Sequence, residues 1–104
     1  MRTDEQNVSR VLAAIDERPA TIRSVALRAG LPRRRVEEAI EAIRKAGAAP
    51  VCSGPEGVWI ARSVREYEGN VDARRRRALG QLVTVRGERR LLRRLATPGQ
   101  ATIW

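Results

Sequence analysis

The chain has no histidine, one cysteine, one lysine (Lys45) and three aromatic residues, Trp59, Tyr67 and Trp104, in 104 positions. Without histidine there is no imidazole base, no Ser–His or Cys–His nucleophile pair and no His-ligated metal. A lone Cys52 excludes an intrachain disulfide and any zinc site built from several cysteines, and in a strand it reads as a small apolar filler. No apolar run approaches the roughly 20 residues of a membrane span, and MRTDEQNVSR lacks the apolar stretch of a signal peptide. A Gly-rich phosphate loop and a GxSxG elbow are also missing. These absences point away from an enzyme, a cofactor or a metal, and toward a cytoplasmic binding protein of one small domain.

What is present is positive charge. Twenty-one basic against twelve acidic residues give a net charge of +9 and a pI near 11.5. That balance calls for a polyanion, nucleic acid first and an anionic membrane surface second. The excess is uneven: residues 1–63 hold eleven basic and eight acidic side chains, residues 64–95 ten and four, and residues 96–104 none. Arginine's planar fork suits phosphate and guanine. A GC-rich coding sequence would give the same Arg-over-Lys bias, although it leaves the net charge unexplained.

Hydrophobic spacing divides residues 1–63 into three helices and a hairpin. Val8, Val11, Leu12 and Ile15 form one stripe, predicting a helix from about Asp4 to Arg18 with Thr3 as N-cap and Pro19 as its stop. A second helix is expected over Ile22–Ala29, ended by Gly30 as a left-handed cap, with Leu31-Pro32 making the turn. The third, about Arg33 to Ala46 with Gly47 beyond it, places Val36, Ile40 and Ile43 on one side. Arg34, Glu38, Glu41 and Lys45 lie opposite, Arg35 nearby and Arg33 toward the core. Pro50–Ser53 and Val58–Ala61 then flank Gly54-Pro55-Glu56-Gly57 as a hairpin, with Trp59 expected to anchor it on the helices.

This order resembles the winged helix-turn-helix family, and most closely its small bacteriophage and prophage members. The resemblance covers roughly residues 5–62 and rests on Val25-Ala26 followed by Gly30-Leu31, on the Val36/Ile40/Ile43 spacing, and on Gly47 leading into a hairpin. It implies a mainly α fold with a small β-hairpin, and a third helix entering the DNA major groove N-terminus first. Arg34 and Arg35 would then meet base edges, Arg33 a phosphate, and Glu38 a cytosine amino group. Arg62 would approach the backbone beside a short wing, with Glu56 at its tip opposing insertion. The same residues also form the i, i+4 pairs Arg33–Glu37, Arg34–Glu38 and Glu41–Lys45, as an ordinary solvated helix would. The family also docks proteins, which leaves a role on host or phage replication or transcription machinery as the alternative.

Ser63-Val64-Arg65-Glu66 has the form of a capping box, opening a C-terminal extension over residues 64–96. Val64, Val71, Ala78, Val85 and Leu92 recur every seven residues. Gly69, Gly80 and Gly87 leave one helix or a pair as alternatives. A homodimer through this stripe is expected, presenting two third helices to a palindromic site; folding back on the first helix is the monomeric alternative. Arg74, Arg75, Arg76 and Arg77 occupy every side of one turn, which suits sequence-independent phosphate contact. The shortage of aromatics argues against both a membrane surface and single-stranded nucleic acid. Residues 97–104, broken by Pro98-Gly99 and ending in Ile103-Trp104, are expected to be a flexible tail. The sequence thus reads as a DNA-binding regulator or architectural factor, nucleoid-associated, or in the host cytoplasm if phage-encoded.

Overall fold

The computed structural model describes residues 3–96, so the 97–104 segment lies outside the described residues. The element order is α1 (Thr3–Ala14), α2 (Ile22–Ala29), α3 (Arg33–Ala46), β1 (Val51–Gly54), β2 (Gly57–Ile60) and α4 (Val64–Ala96). This is a mainly helical chain with one two-stranded antiparallel hairpin. It divides into two compact units, the first running to Val71 and the second beginning at Asp72. The first unit therefore takes in the opening turns of α4 and does not stop at residue 63.

The boundaries of α2 and α3 follow from local chemistry. Thr21 caps α2, its hydroxyl accepting the Ser24 N–H at 3.1 Å, and Gly30 leaves the helix at φ 66°. Pro32 opens α3 in extended conformation, where its missing N–H removes nothing, and Gly47 closes it. The first helix is shorter than its apolar spacing predicts. It already includes Thr3, expected to be its cap, and it ends at Ala14 although Ile15 remains 6% exposed in the core. Beyond it the Asp16 carboxylate accepts the Arg18 N–H at 2.8 Å, and Pro19 biases Arg18 away from helix. The extended chain then reaches the hairpin: Asp16 O accepts the Ile60 N–H at 2.7 Å, and Ala20 exchanges two hydrogen bonds with Val58, at 2.9 and 2.8 Å. A third, one-residue bridge thus lines the outer edge of β2.

The core of the described residues is built from aliphatic side chains and Cys52, with no aromatic. Val11, Val25, Val36, Ile43 and Val51 are almost completely buried, and α3 packs on both α1 and α2. Trp59 is not the anchor of the hairpin. The register sets Val51 opposite Ile60 and Ser53 opposite Val58, so these side chains share the core face. Trp59 pairs with Cys52 on the other face, half-buried, and its indole N–H donates to Glu66 Oε1 at 3.1 Å. Cys52 is fully buried, in keeping with a filler.

Ser63 caps α4, accepting the Glu66 N–H at 3.1 Å, while the Glu66 carboxylate turns back to the Arg62 N–H at 3.1 Å. One turn on, Asn70 clips the outer edge of β1: it accepts the Ser53 N–H at 3.2 Å and donates to the Ser53 carbonyl at 2.8 Å. Asn70→Ala should lower stability by about 1–3 kcal/mol, two net hydrogen bonds' worth, seen as a lower urea midpoint at unchanged m-value. The helix itself runs unbroken through Gly69, Gly80 and Gly87, one helix and not a pair, and buries none of its residues. No helix among the described residues is long and apolar enough to cross a membrane.

Candidate nucleic-acid interface

The first turn of α3 breaks a local rule. A helix N-terminus carries partial positive charge and favours acids, each cation placed there being unfavourable by about 0.3–1 kcal/mol. Here Arg33, Arg34 and Arg35 fill the turn, no acidic residue accompanies them, and no side chain caps it. Such local conflicts tend to mark functional positions, and here three guanidiniums gather at the end of a helix that favours anions.

Neighbouring acids hold two of the three. Arg33 Nε lies 2.9 Å from Glu37 Oε1 and Arg35 Nη1 3.0 Å from Glu38 Oε1, both pairs well exposed. Glu41 and Lys45 pair at 3.2 Å farther along the helix. The i, i+4 partnership of Arg34 with Glu38 does not form, because Glu38 takes Arg35 at i, i+3. Arg34 is left with no acidic partner among the described residues, fully available to a ligand. Arg33 does not turn to the core: its side chain is 73% exposed and reaches along the helix to Glu37.

Sequence reasoning passed over Arg23. It shares a face of α2 with Leu27, four residues on, and together with Arg33 it flanks an open groove of about 500 Å³ floored by Ala26, Leu31 and Pro32. Leu27 is 77% exposed at this groove beside Ala26, Leu31 and Pro32, and its place off the Val25/Ala29 inward face was the available signal. Two other arginines are structural: Arg44 donates to the Val51 carbonyl and, at 3.0 Å, to Ser53 Oγ, and Arg28 donates to the Ala14 carbonyl at 3.4 Å.

Arg62 is exposed, with Glu17 3.7 Å away as its ion-pair partner and not a residue of α3. Arg74 to Arg77 belong to the second unit, where Arg75, Arg76 and Arg77 are exposed and Arg74 is half-buried. Glu56 lies exposed at the hairpin tip. Among the described residues no cluster of acidic, cysteine or histidine side chains could hold a metal ion. No protein-family model matches the chain, and neither a curated protein nor a solved structure matches it.

Proposed function

We propose that this chain is a small winged helix-turn-helix protein that binds double-stranded DNA, leading with the N-terminus of α3, as a phage-type transcriptional regulator or architectural factor. The observation that carries the reading is the uncapped first turn of α3, with three exposed arginines and no acid in the turn. The order of elements supports it: α2 and α3 joined by a three-residue turn, then a hairpin whose outer strand is bridged by the segment before α2. In this reading Arg34 and Arg35 meet base edges, with Glu38 steering Arg35 and open to a cytosine amino group. Arg33, Arg23, Arg62 and the Arg74–Arg77 run hold phosphates.

Selection of bound duplexes from a random library at about 50 and 200 mM salt is the direct test, because phosphate-driven affinity falls steeply over that range. A motif that survives the higher salt is expected. Binding that vanishes there without any motif would leave only an architectural role, and no binding at either salt would end the DNA reading. Two variants separate the roles. Arg34→Ala should relax preference at one base position, losing about 1–3 kcal/mol on the preferred duplex only. Arg76→Ala should weaken all duplexes alike and lessen the salt slope by about one.

A further inference from the structure

Phosphate contact explains the arginines of α4 but not its apolar stripe. Beyond Asp72 the helix leaves Leu79, Leu82, Val83, Val85 and Leu92 exposed, between 40% and 66% of each side chain's full surface. Ala78, Val85 and Leu92 recur every seven residues, and Arg75, Leu82 and Arg89 stand at the intervening positions, four residues after Val71, Ala78 and Val85. One seam therefore alternates apolar side chains with Arg75 and Arg89, and neither arginine has an ion-pair partner among the described residues.

Three occupants can be weighed against that pattern. A nucleic-acid backbone would satisfy the arginines and leave four or five leucine and valine side chains facing water. A second copy of α4 would cover the leucines but oppose charge with charge: parallel pairing sets Arg75 on Arg75 and Arg89 on Arg89, and antiparallel pairing about Leu82 sets Arg75 beside Arg89. The whole segment adds to the repulsion, since residues 72–96 carry nine arginines against Asp72 and Glu88. An acidic amphipathic helix answers both requirements at once, with apolar residues on the seven-residue repeat and carboxylates opposite Arg75 and Arg89.

We propose that the seam of α4 formed by Ala78, Leu82, Val85 and Leu92 with Arg75 and Arg89 is a docking surface for an acidic amphipathic helix of another protein. Recognition is heterotypic because the interleaved arginines disfavour self-pairing and select carboxylates. This does not rest on the DNA reading: Arg75, which that reading gives to a phosphate, here takes a carboxylate, so the two ligands exclude each other at that residue, and the test contains no DNA.

The full chain is titrated with three synthetic helical peptides, each about four heptads long, enough to sustain the repeat. The first carries leucine on the seam and glutamate at the interleaved positions. The second keeps the glutamates and replaces leucine by serine; the third keeps the leucines and replaces glutamate by lysine. The first should bind one to one and at least about tenfold tighter than the others, a difference within reach of two desolvated charge pairs. Arg89→Glu should lose the first peptide by about tenfold or more and gain the third, a gain that misfolding cannot produce. Equal binding of the first and second peptides would overturn the proposal in favour of a simple polyanion surface. A dimer in sedimentation equilibrium that the first peptide fails to dissociate would overturn it in favour of a second copy, and no binding by any peptide would also overturn it.

Discussion

Gly57→Ala is expected to be among the most damaging single substitutions in the first unit, lowering the melting temperature by on the order of 10–30 °C. Gly57 sits at φ 120°, a conformation L side chains rarely adopt, and a Cβ there would run into the Ala20 carbonyl while lying 2.9 Å from Thr21 N. The obstacle is backbone, so no side-chain rotation relieves it. The new side chain carries the strain of that conformation, about 1–3 kcal/mol, and the Ala20 segment must withdraw as well. Withdrawal gives up the paired hydrogen bonds to Val58, each worth about 0.5–1.5 kcal/mol net. Against a total stability of about 5–15 kcal/mol for a domain this size, that loss is large. Gly69→Ala is the control: it is helical, with nothing within 4 Å of a new Cβ, and should stabilise by about 1 kcal/mol. A Gly57→Ala protein melting within a few degrees of the parent would disprove the close approach of Ala20.

Replacing Arg33, Arg34 and Arg35 together by alanine should move affinity and stability in different directions. On the proposed DNA reading, duplex affinity should fall by about two orders of magnitude or more, with a shallower salt dependence, because base and phosphate contacts would leave together. Stability should hold or rise. Removing three cations from a helix N-terminus relieves about 0.3–1 kcal/mol each. Losing the pairs to Glu37 and Glu38 costs only about 0.2–0.5 kcal/mol apiece. Fluorescence anisotropy on duplex DNA and thermal denaturation of the same variant read the two quantities separately. A variant that melts lower and binds DNA as before would show that these arginines serve the helix and not a ligand.

Much of the fold could be read from residues whose effect is local. Thr21, Gly30, Pro32 and Gly47 act within one turn of where they stand, and the bounds of α2 and α3 agree with the reading of the sequence. The end of α1 could not be read, because Ile15 keeps the apolar spacing of a helix while the backbone has already left it to meet β2. The Ala20–Val58 bridge joins residues far apart in sequence, and a one-residue pairing has no period to detect. Trp59 was misjudged for a related reason. Its size suggests an anchor, but the face it takes depends on the hairpin register, which the Pro55-Glu56 turn sets so that Val51 and Val58 point inward. At the candidate site, helical spacing correctly put Arg34 on the outer face. Which arginine Glu38 would take is a choice of side-chain rotamer, and that choice leaves Arg34 open.

The hairpin has neither edge free. Val58 on β2 is occupied by Ala20, Ser53 on β1 by the Asn70 amide, and Pro50, just before β1, has no N–H to offer. Unpaired strand edges are where chains add to one another, by domain exchange or by growth of fibrils. Among the described residues, strand addition therefore lacks its usual starting point. Loosening of the Asn70 clip would be the first event to open such a point. Aggregation by strand pairing should then track the detachment of α4's opening turns and not the melting of the three-helix core.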